Sequence, residues 1–233
     1  MTDRAFEILE TKEHVLADND RAAAKLRDEM ADKGVYLVNL MASPGAGKTT
    51  TLVRTIRALK DRYRIGVMEA DVDSAVDAET IAETGARVIQ LHTGGSCHMD
   101  ADMTARGMDG LGADGLDLIF LENVGNLVCP AEFDVGADLR AMILSVPEGD
   151  DKPLKYPLMF QVSDVVLINK IDTAEIFDFS MDRCRKNVRM HNAESPVLPL
   201  SAKTGEGFDA WIQFLTERVE EKRRVAGKKG ENA

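Results

Sequence analysis

Residues 43–50 read Ser-Pro-Gly-Ala-Gly-Lys-Thr-Thr and lie between an apolar run and a helical pattern. Gly45 and Gly47 let the backbone curl so that successive N–H groups face one anion. Lys48 supplies a point charge for outer phosphates, and the Thr49 hydroxyl suits a phosphate-bound magnesium ion (Mg2+). The helix that opens near Lys48 aims its positive dipole end at the same place. Ser43, Pro44, Ala46 and Thr50 complete the cradle. The spacing G-x-x-x-x-G-K-[ST] expects glycine at position 42, where this chain has Ala42. A methyl group is tolerated there as long as φ stays negative.

A second motif selects the base. The run from Val165 ends in Asn169-Lys170-Ile171-Asp172. The Asp172 carboxylate can accept from two neighbouring guanine N–H groups, whereas adenine leaves that acceptor poorly satisfied. The Lys170 stem can lie along the base plane, and Asn169 can brace the surrounding loops. Ser201-Ala202-Lys203 resembles the loop with which GTPases offer a backbone N–H to the guanine oxygen and pack a lysine on the base. The two segments together favour GTP and GDP over adenine nucleotides.

A third group of residues suits a softer ion. Cys97 and His98 follow one predicted strand, and Cys129 follows the next. Thiolate and imidazole hold zinc, nickel or copper, not magnesium or calcium. Three ligands leave one position open for water, for transfer, or for a group from a second subunit. The alternative is three unrelated side chains. Two features favour a site: Cys97 and His98 are adjacent at a predicted helix start, and Cys129 follows Glu122 by only seven positions. That length of chain reaches at most about 23–25 Å, so residue 129 can follow a loop that moves near a γ-phosphate. Cys184 has no such partner in the sequence.

These loops need a scaffold that brings them to one edge. Short aliphatic runs predict strands at Val35–Met41, Ile65–Ala70, Arg87–Leu91, Leu116–Glu122, Val165–Asn169 and Val197–Leu200. Helical patterns occupy 48–61, 75–84, 98–109, 173–190 and 207–225. Alternation of this kind predicts an α/β fold: a doubly wound, mostly parallel sheet with helices on both faces, the architecture of P-loop NTPases. Every loop leaving the carboxyl end of a parallel strand lies on one rim, where such sheets bind ligands. Ahead of it, Phe6, Leu9, Val15, Leu16, Ala23 and Leu26 recur at helical spacing, predicting one or two helices. The division expected is an N-terminal helical extension over 1–33, a nucleotide-binding domain over 34–226 and a frayed tail over 227–233.

Bulk properties narrow the partners. The 233 residues carry a net charge of −11, so a nucleic-acid phosphate backbone is disfavoured. No apolar run approaches membrane-spanning length, and the first residues are acidic instead of signal-like. Three cysteines, odd and few, argue for a reducing cytoplasmic setting and against a disulfide framework.

Taken together, the chain resembles the hydrogenase nickel-insertion GTPase family (HypB), among the dimerising phosphate-loop GTPases. The resemblance rests on Ser43–Thr50, Glu69-Ala-Asp71, Thr93-Gly94, Cys97–Asp100, Glu122–Pro130, Asn169–Asp172 and Ser201–Lys203. It implies slow GTP hydrolysis linked to nickel delivery into the large subunit of [NiFe] hydrogenase. It also implies a GTP-dependent homodimer, an accessory nickel-insertion protein as partner, and Ni2+ or Zn2+ held by Cys97, His98 and Cys129 at the dimer interface. By position, Thr49, Asp71, Asp77 and Glu122 would serve Mg2+, and Gly125 would pivot near the γ-phosphate. Lys48, Asp71, Asp77 and Glu122 would carry the reaction, which needs positioning and charge neutralisation. Some members carry an N-terminal cysteine-rich or histidine-rich nickel store. Here the first cysteine is Cys97 and the only early histidine is His14, so no such store is expected. Rival expectations are a GTPase chaperone for urease or a cobalamin-dependent mutase, and a zinc-stabilised dimerisation module.

Overall fold

A computed structural model describes residues 11–71 and 75–230, apart from the side chains of 11–14 and 228–230. Among the described residues one helix, α1 (Thr11–Lys33), precedes the sheet, and Phe6 and Leu9 lie outside them. The chain then runs β1 (Tyr36–Ala42), α2 (Lys48–Leu59), β2 (Ile65–Asp71), α3 (Val76–Ala82), β3 (Arg87–His92), α4 (Ala101–Leu111) and β4 (Leu118–Glu122). It continues through α5 (Cys129–Glu132), β5 (Leu139–Ser145), α6 (Lys152–Lys155), α7 (Pro157–Val162), β6 (Val165–Asn169), α8 (Met181–Arg189), β7 (Val197–Pro199) and α9 (Phe208–Gly230). The seven strands pair in the order β3-β2-β4-β1-β5-β6-β7, every pair parallel. This is the predicted doubly wound α/β fold with a helical extension.

Both faces are covered. On one, Trp211, Leu215 and Val219 of α9 and Leu52 and Ile56 of α2 bury the side chains of Val38, Leu40, Phe120 and Ile143. On the other, Leu26 and Met30 of α1 and Met108 and Leu111 of α4 cover Leu37, Met68, Ile119 and Leu121. A third cluster seats α7 and α8 on Met142, Leu144, Val166 and Ile168, and Cys184 is buried within it. Among the described residues no helix is long and apolar enough to cross a membrane.

Three aspartates set the register at the entry edge of the sheet. Asp117, just before β4, accepts from the Arg64 N–H at 2.8 Å. Asp138, before β5, accepts from the Leu37 N–H at 2.8 Å, and Asp164, before β6, accepts from the Arg140 N–H at 2.7 Å. Each carboxylate satisfies a backbone donor that the start of a parallel ladder leaves open.

The structure differs from the sequence expectation at the short helices α5, α6 and α7, which no helical pattern marks, and at several further places. The sequence pattern marks no strand over Leu139–Ser145, yet β5 sits between β1 and β6 inside the sheet. Leu-Arg-Ala-Met-Ile-Leu-Ser has little intrinsic strand signature; two neighbouring strands impose the extended state. Helix α4 starts at Ala101, not 98, because Asp100 caps it by accepting from the Met103 N–H. Helix α8 covers only 181–189, since Ser180 is its cap and residues 171–173 form a single 3-10 turn. Finally, α9 continues to Gly230, through most of the expected tail.

Trp211 is fully buried and its Nε1 donates to Thr55 Oγ1 at 3.0 Å, tying α9 to α2, the helix that carries the phosphate loop. Trp211→Ala leaves a cavity and removes the indole donor to Thr55, and is expected to cost about 3–5 kcal/mol in a urea unfolding titration.

Candidate functional site

The first turn of the site is dictated by where β1 stops. Ala42 is the last residue of β1, fully buried and paired with Ile143 of β5. Among the described residues only Lys170 and Asp178 are non-glycines with positive φ, so Ala42 keeps the negative φ that its methyl group requires. The bend comes after it, at Gly45 (φ +73°) and Gly47 (φ +97°). Gly47 is needed for space as well as for φ: a Cβ there would stand 2.5 Å from Asn169 Nδ2. Lys48, Thr49 and Thr50 form the first turn of α2.

Asn169 joins three loops. Its Nδ2 donates to the Ala46 carbonyl at 2.9 Å, and its Oδ1 accepts from the N–H groups of Lys170 (2.8 Å) and Ala202 (3.0 Å). Lys170 Nζ donates to the Gly45 carbonyl at 2.6 Å, so its stem crosses toward the phosphate loop. Gly47, Thr50, Asn169, Lys170, Asp172, Ala202 and Lys203 surround a cavity of about 190 Å³. Ser201 is buried and turns the loop, donating its N–H to the Glu206 carbonyl at 2.9 Å. A larger groove, about 760 Å³, lies at the opposite edge between Lys60–Ile65 and Asp117. It touches none of the motif residues, and its Arg62 and Arg64 are already paired with Glu220 and Asp117.

The carboxylates gather on the other side of the phosphate loop. Thr49 Oγ1 donates to Glu122 Oε1 at 2.7 Å. Glu69 and Glu122 are register partners on β2 and β4, both only 2 % exposed, and the Oε2 atom of each is buried without a hydrogen-bond partner. Burial, followed by the charges of Glu122, Asp71 and Asp77, pushes the Glu69 carboxyl up to about 8. Burial likewise raises Glu122 to about 7 against the Thr49 hydrogen bond and the Lys48 charge. Two orphaned buried oxygens beside a threonine hydroxyl form the oxygen donor set of a hard divalent cation. The residues fit Mg2+. Glu69 lies outside the Mg2+ residues that the sequence points to, Thr49, Asp71, Asp77 and Glu122, although it belongs to the Glu69-Ala-Asp71 motif. Its signal was present: an acidic residue inside the buried strand Ile65–Asp71.

The third group assembles on the same rim. Cys97 and His98 lie in the loop after β3, and Cys129 opens the short helix α5. Their ligand atoms all fall within 4.8 Å of one another. Cys97 Sγ stands 2.7 Å from Cys129 Sγ, inside the ordinary contact distance of two sulfurs, and the neighbouring thiol holds Cys97 above its ordinary range. The His98 ring stacks on Phe133 with centroids 3.9 Å apart, and burial lowers its pKa, which favours the neutral imidazole a metal needs. Cys97 is exposed, so the cluster faces outward. Cys184 is buried elsewhere in the core, and burial raises its thiol to about 12.

The family model for the CobW/HypB/UreG nucleotide-binding domain matches residues 36–199. The hydrogenase maturation factor HypB of Rhizobium leguminosarum bv. viciae is 44% identical over 94% of this chain and 74% of its own length. The chain belongs to the HypB family. A probable HypB of Methanocaldococcus jannaschii is 37% identical over 92% of the chain and 97% of its own length. The crystal structure of HypB from Helicobacter pylori in complex with nickel superposes with a TM-score of 0.83 at 37% identity, covering 88% of this chain and 97% of that one. HypB from Archaeoglobus fulgidus gives 0.82 at 36% identity, covering 87% and 99%. This HypB-family chain is therefore a P-loop protein of the GTPase class that carries a candidate Cys/His metal cluster.

The raised carboxyls have a measurable consequence for the nucleotide-free protein. Folded Glu69 and Glu122 keep protons that the unfolded chain releases above its ordinary value of 4.5. Stability therefore falls as pH rises from about 4.5 toward about 8. Glu69→Gln is expected to flatten that fall and raise the melting midpoint at pH 8. An unchanged pH slope in this variant would contradict the assignment.

Proposed function

We propose that the chain is a GTP-hydrolysing metallochaperone that couples GTP-dependent dimerisation to nickel delivery during [NiFe] hydrogenase maturation. The observation that carries this reading is the meeting of Cys97, His98 and Cys129 on the rim that also carries the phosphate loop. The nickel in the H. pylori HypB crystal and the hydrogenase role in the names of the relatives point the same way. The outward-facing, three-ligand cluster suits cargo, because an open coordination position lets a metal enter and leave. The HypB relatives in H. pylori are named for hydrogenase and urease together, which keeps urease in view as a second recipient. The relatives with 42–44% identity are named for hydrogenase alone.

The residues divide the work as follows. Gly45–Thr50 and the α2 N-terminus bind the β- and γ-phosphates, with Ser43 and Pro44 forming the entry turn. Asn169 fixes the base loop against the phosphate loop; Lys170 covers the base, Asp172 reads its edge, and Ser201–Lys203 close it. Thr49, Asp71, Asp77 and Glu122 would hold Mg2+, joined by Glu69 behind Glu122; the ion, when bound, neutralises charge on the transferring phosphoryl group. Lys48 adds a fixed positive charge where the transition state spreads its negative charge. Gly125 lies against Pro44, so the segment leading to Cys129 touches the loop that holds phosphate. Hydrolysis then relaxes the dimer and the thiolate site, and nickel passes to an accessory insertion protein and the hydrogenase large subunit. The setting we infer is cytoplasmic, where the free cysteines stay reduced.

Linkage gives the decisive measurement. Any change in nickel affinity with nucleotide must equal the change in nucleotide affinity with nickel. Nickel dissociation constants in GDP and in a nonhydrolysable GTP analogue are expected to differ by about 5-fold or more; equal values would rule the coupling out. Cys129→Ala should fold and hydrolyse GTP but fail to support hydrogenase maturation, whereas failure to fold would favour structural zinc. Asp172→Ala should weaken GTP binding by roughly 10–100-fold, from the loss of hydrogen bonds to a charged acceptor, with little effect on ATP.

A further inference from the structure

One stretch of chain, Asn123–Cys129, runs from the carboxylate site to the thiol pair. At its root, Asn123 is fully buried: its Oδ1 accepts from the N–H groups of Met99 (3.3 Å) and Val124 (2.9 Å), and its Nδ2 donates to Asn39 Oδ1 at 3.1 Å. Both loops are thus anchored to the sheet at the same point. Two residues on, Gly125 presses on the phosphate loop, where a Cβ would stand 3.1 Å from the Pro44 nitrogen and 3.2 Å from its Cα. At the far end Cys129 meets Cys97. Between them lies Asn126, half-buried and remote from the guanine cavity. Its Oδ1 accepts from the Val128 N–H at 2.8 Å, within its own loop. Its Nδ2 donates to the Cys97 carbonyl at 3.3 Å, across to the other loop.

We propose that Asn126 is the positioning residue that carries the state of the phosphate loop to the thiol pair: it ties the Cys97 loop to the segment hinged at Gly125, so that movement against Pro44 resets the Cys97–Cys129 separation. This rests on the nickel-delivery reading above. A carboxamide suits the post, because its oxygen accepts from Val128 while its nitrogen donates to Cys97. An aspartate keeps the first bond and loses the second, turning a donor into an acceptor that faces a carbonyl. Without the tie the two loops move independently, and a metal no longer feels which nucleotide is bound.

The test measures Ni2+ affinity of the full chain by competition with a chromophoric chelator, in GDP and in a nonhydrolysable GTP analogue. The proteins are wild type, Asn126→Asp and Asn126→Ala, with thermal melting midpoints to verify folding. The wild-type constants are expected to differ by about 5-fold or more, and both variants to bring that ratio close to one while still binding nickel. Variants that keep the wild-type ratio, or lose nickel binding equally in both states, overturn the proposal and leave the parent reading standing. A wild-type ratio of one removes both.

Discussion

The site depends on the parallel pairing of β1 with β4 and of β4 with β2. Those ladders place Leu40 beside Glu122 and Glu122 beside Glu69. Because all three strands point the same way, their loops emerge together: the phosphate loop from β1, the acidic loop from β2, and the Asn123–Cys129 segment from β4. A one-residue slip in either ladder would turn the carboxylates to the other face of the sheet. The aspartates at the entry edge, Asp117 and Asp138, oppose such a slip by pinning the starts of these strands.

Holding two glutamates side by side in a buried sheet has an electrostatic cost. Neither Glu69 nor Glu122 has a full set of partners, and both resist ionisation. A stable core would place apolar residues there. Retaining the carboxylates makes sense if a cation and a phosphate chain complete the site, since the cation then supplies the missing charge. Strain of this kind concentrates where a protein binds its ligand, and the surrounding Leu40, Leu121 and Met68 keep the rest of the strand interior dry.

The nucleotide half and the metal half are built differently. Around the cavity beside Gly47, Asn169 and Lys170 make buried or short bonds to backbone atoms of the phosphate loop, giving a rigid recess. Around Cys97 and Cys129, contacts run through half-buried and exposed loop residues, among them the Asn126 carboxamide and one ring stack. Rigid recognition beside a looser cluster is the arrangement expected when one site must keep its ligand through a cycle and the other must release it.

Much of this was readable from residue order. Ser43–Thr50, Asn169–Asp172 and Ser201–Lys203 are local signals, because each needs only a strand before it and a turn within it. The alternation of aliphatic runs with helical patterns was enough for the doubly wound fold. What sequence could not supply was everything decided by neighbours distant along the chain. Strand β5 is extended because β1 and β6 flank it, not because Leu139–Ser145 favours that state. Glu69 joins the site because the register of β2 sets it against Glu122, and Asn126 matters because of where its amide lands on another loop. Spacing could nominate Cys97, His98 and Cys129 as ligands; only the closing of the sheet brings sulfurs 32 residues apart to 2.7 Å from each other.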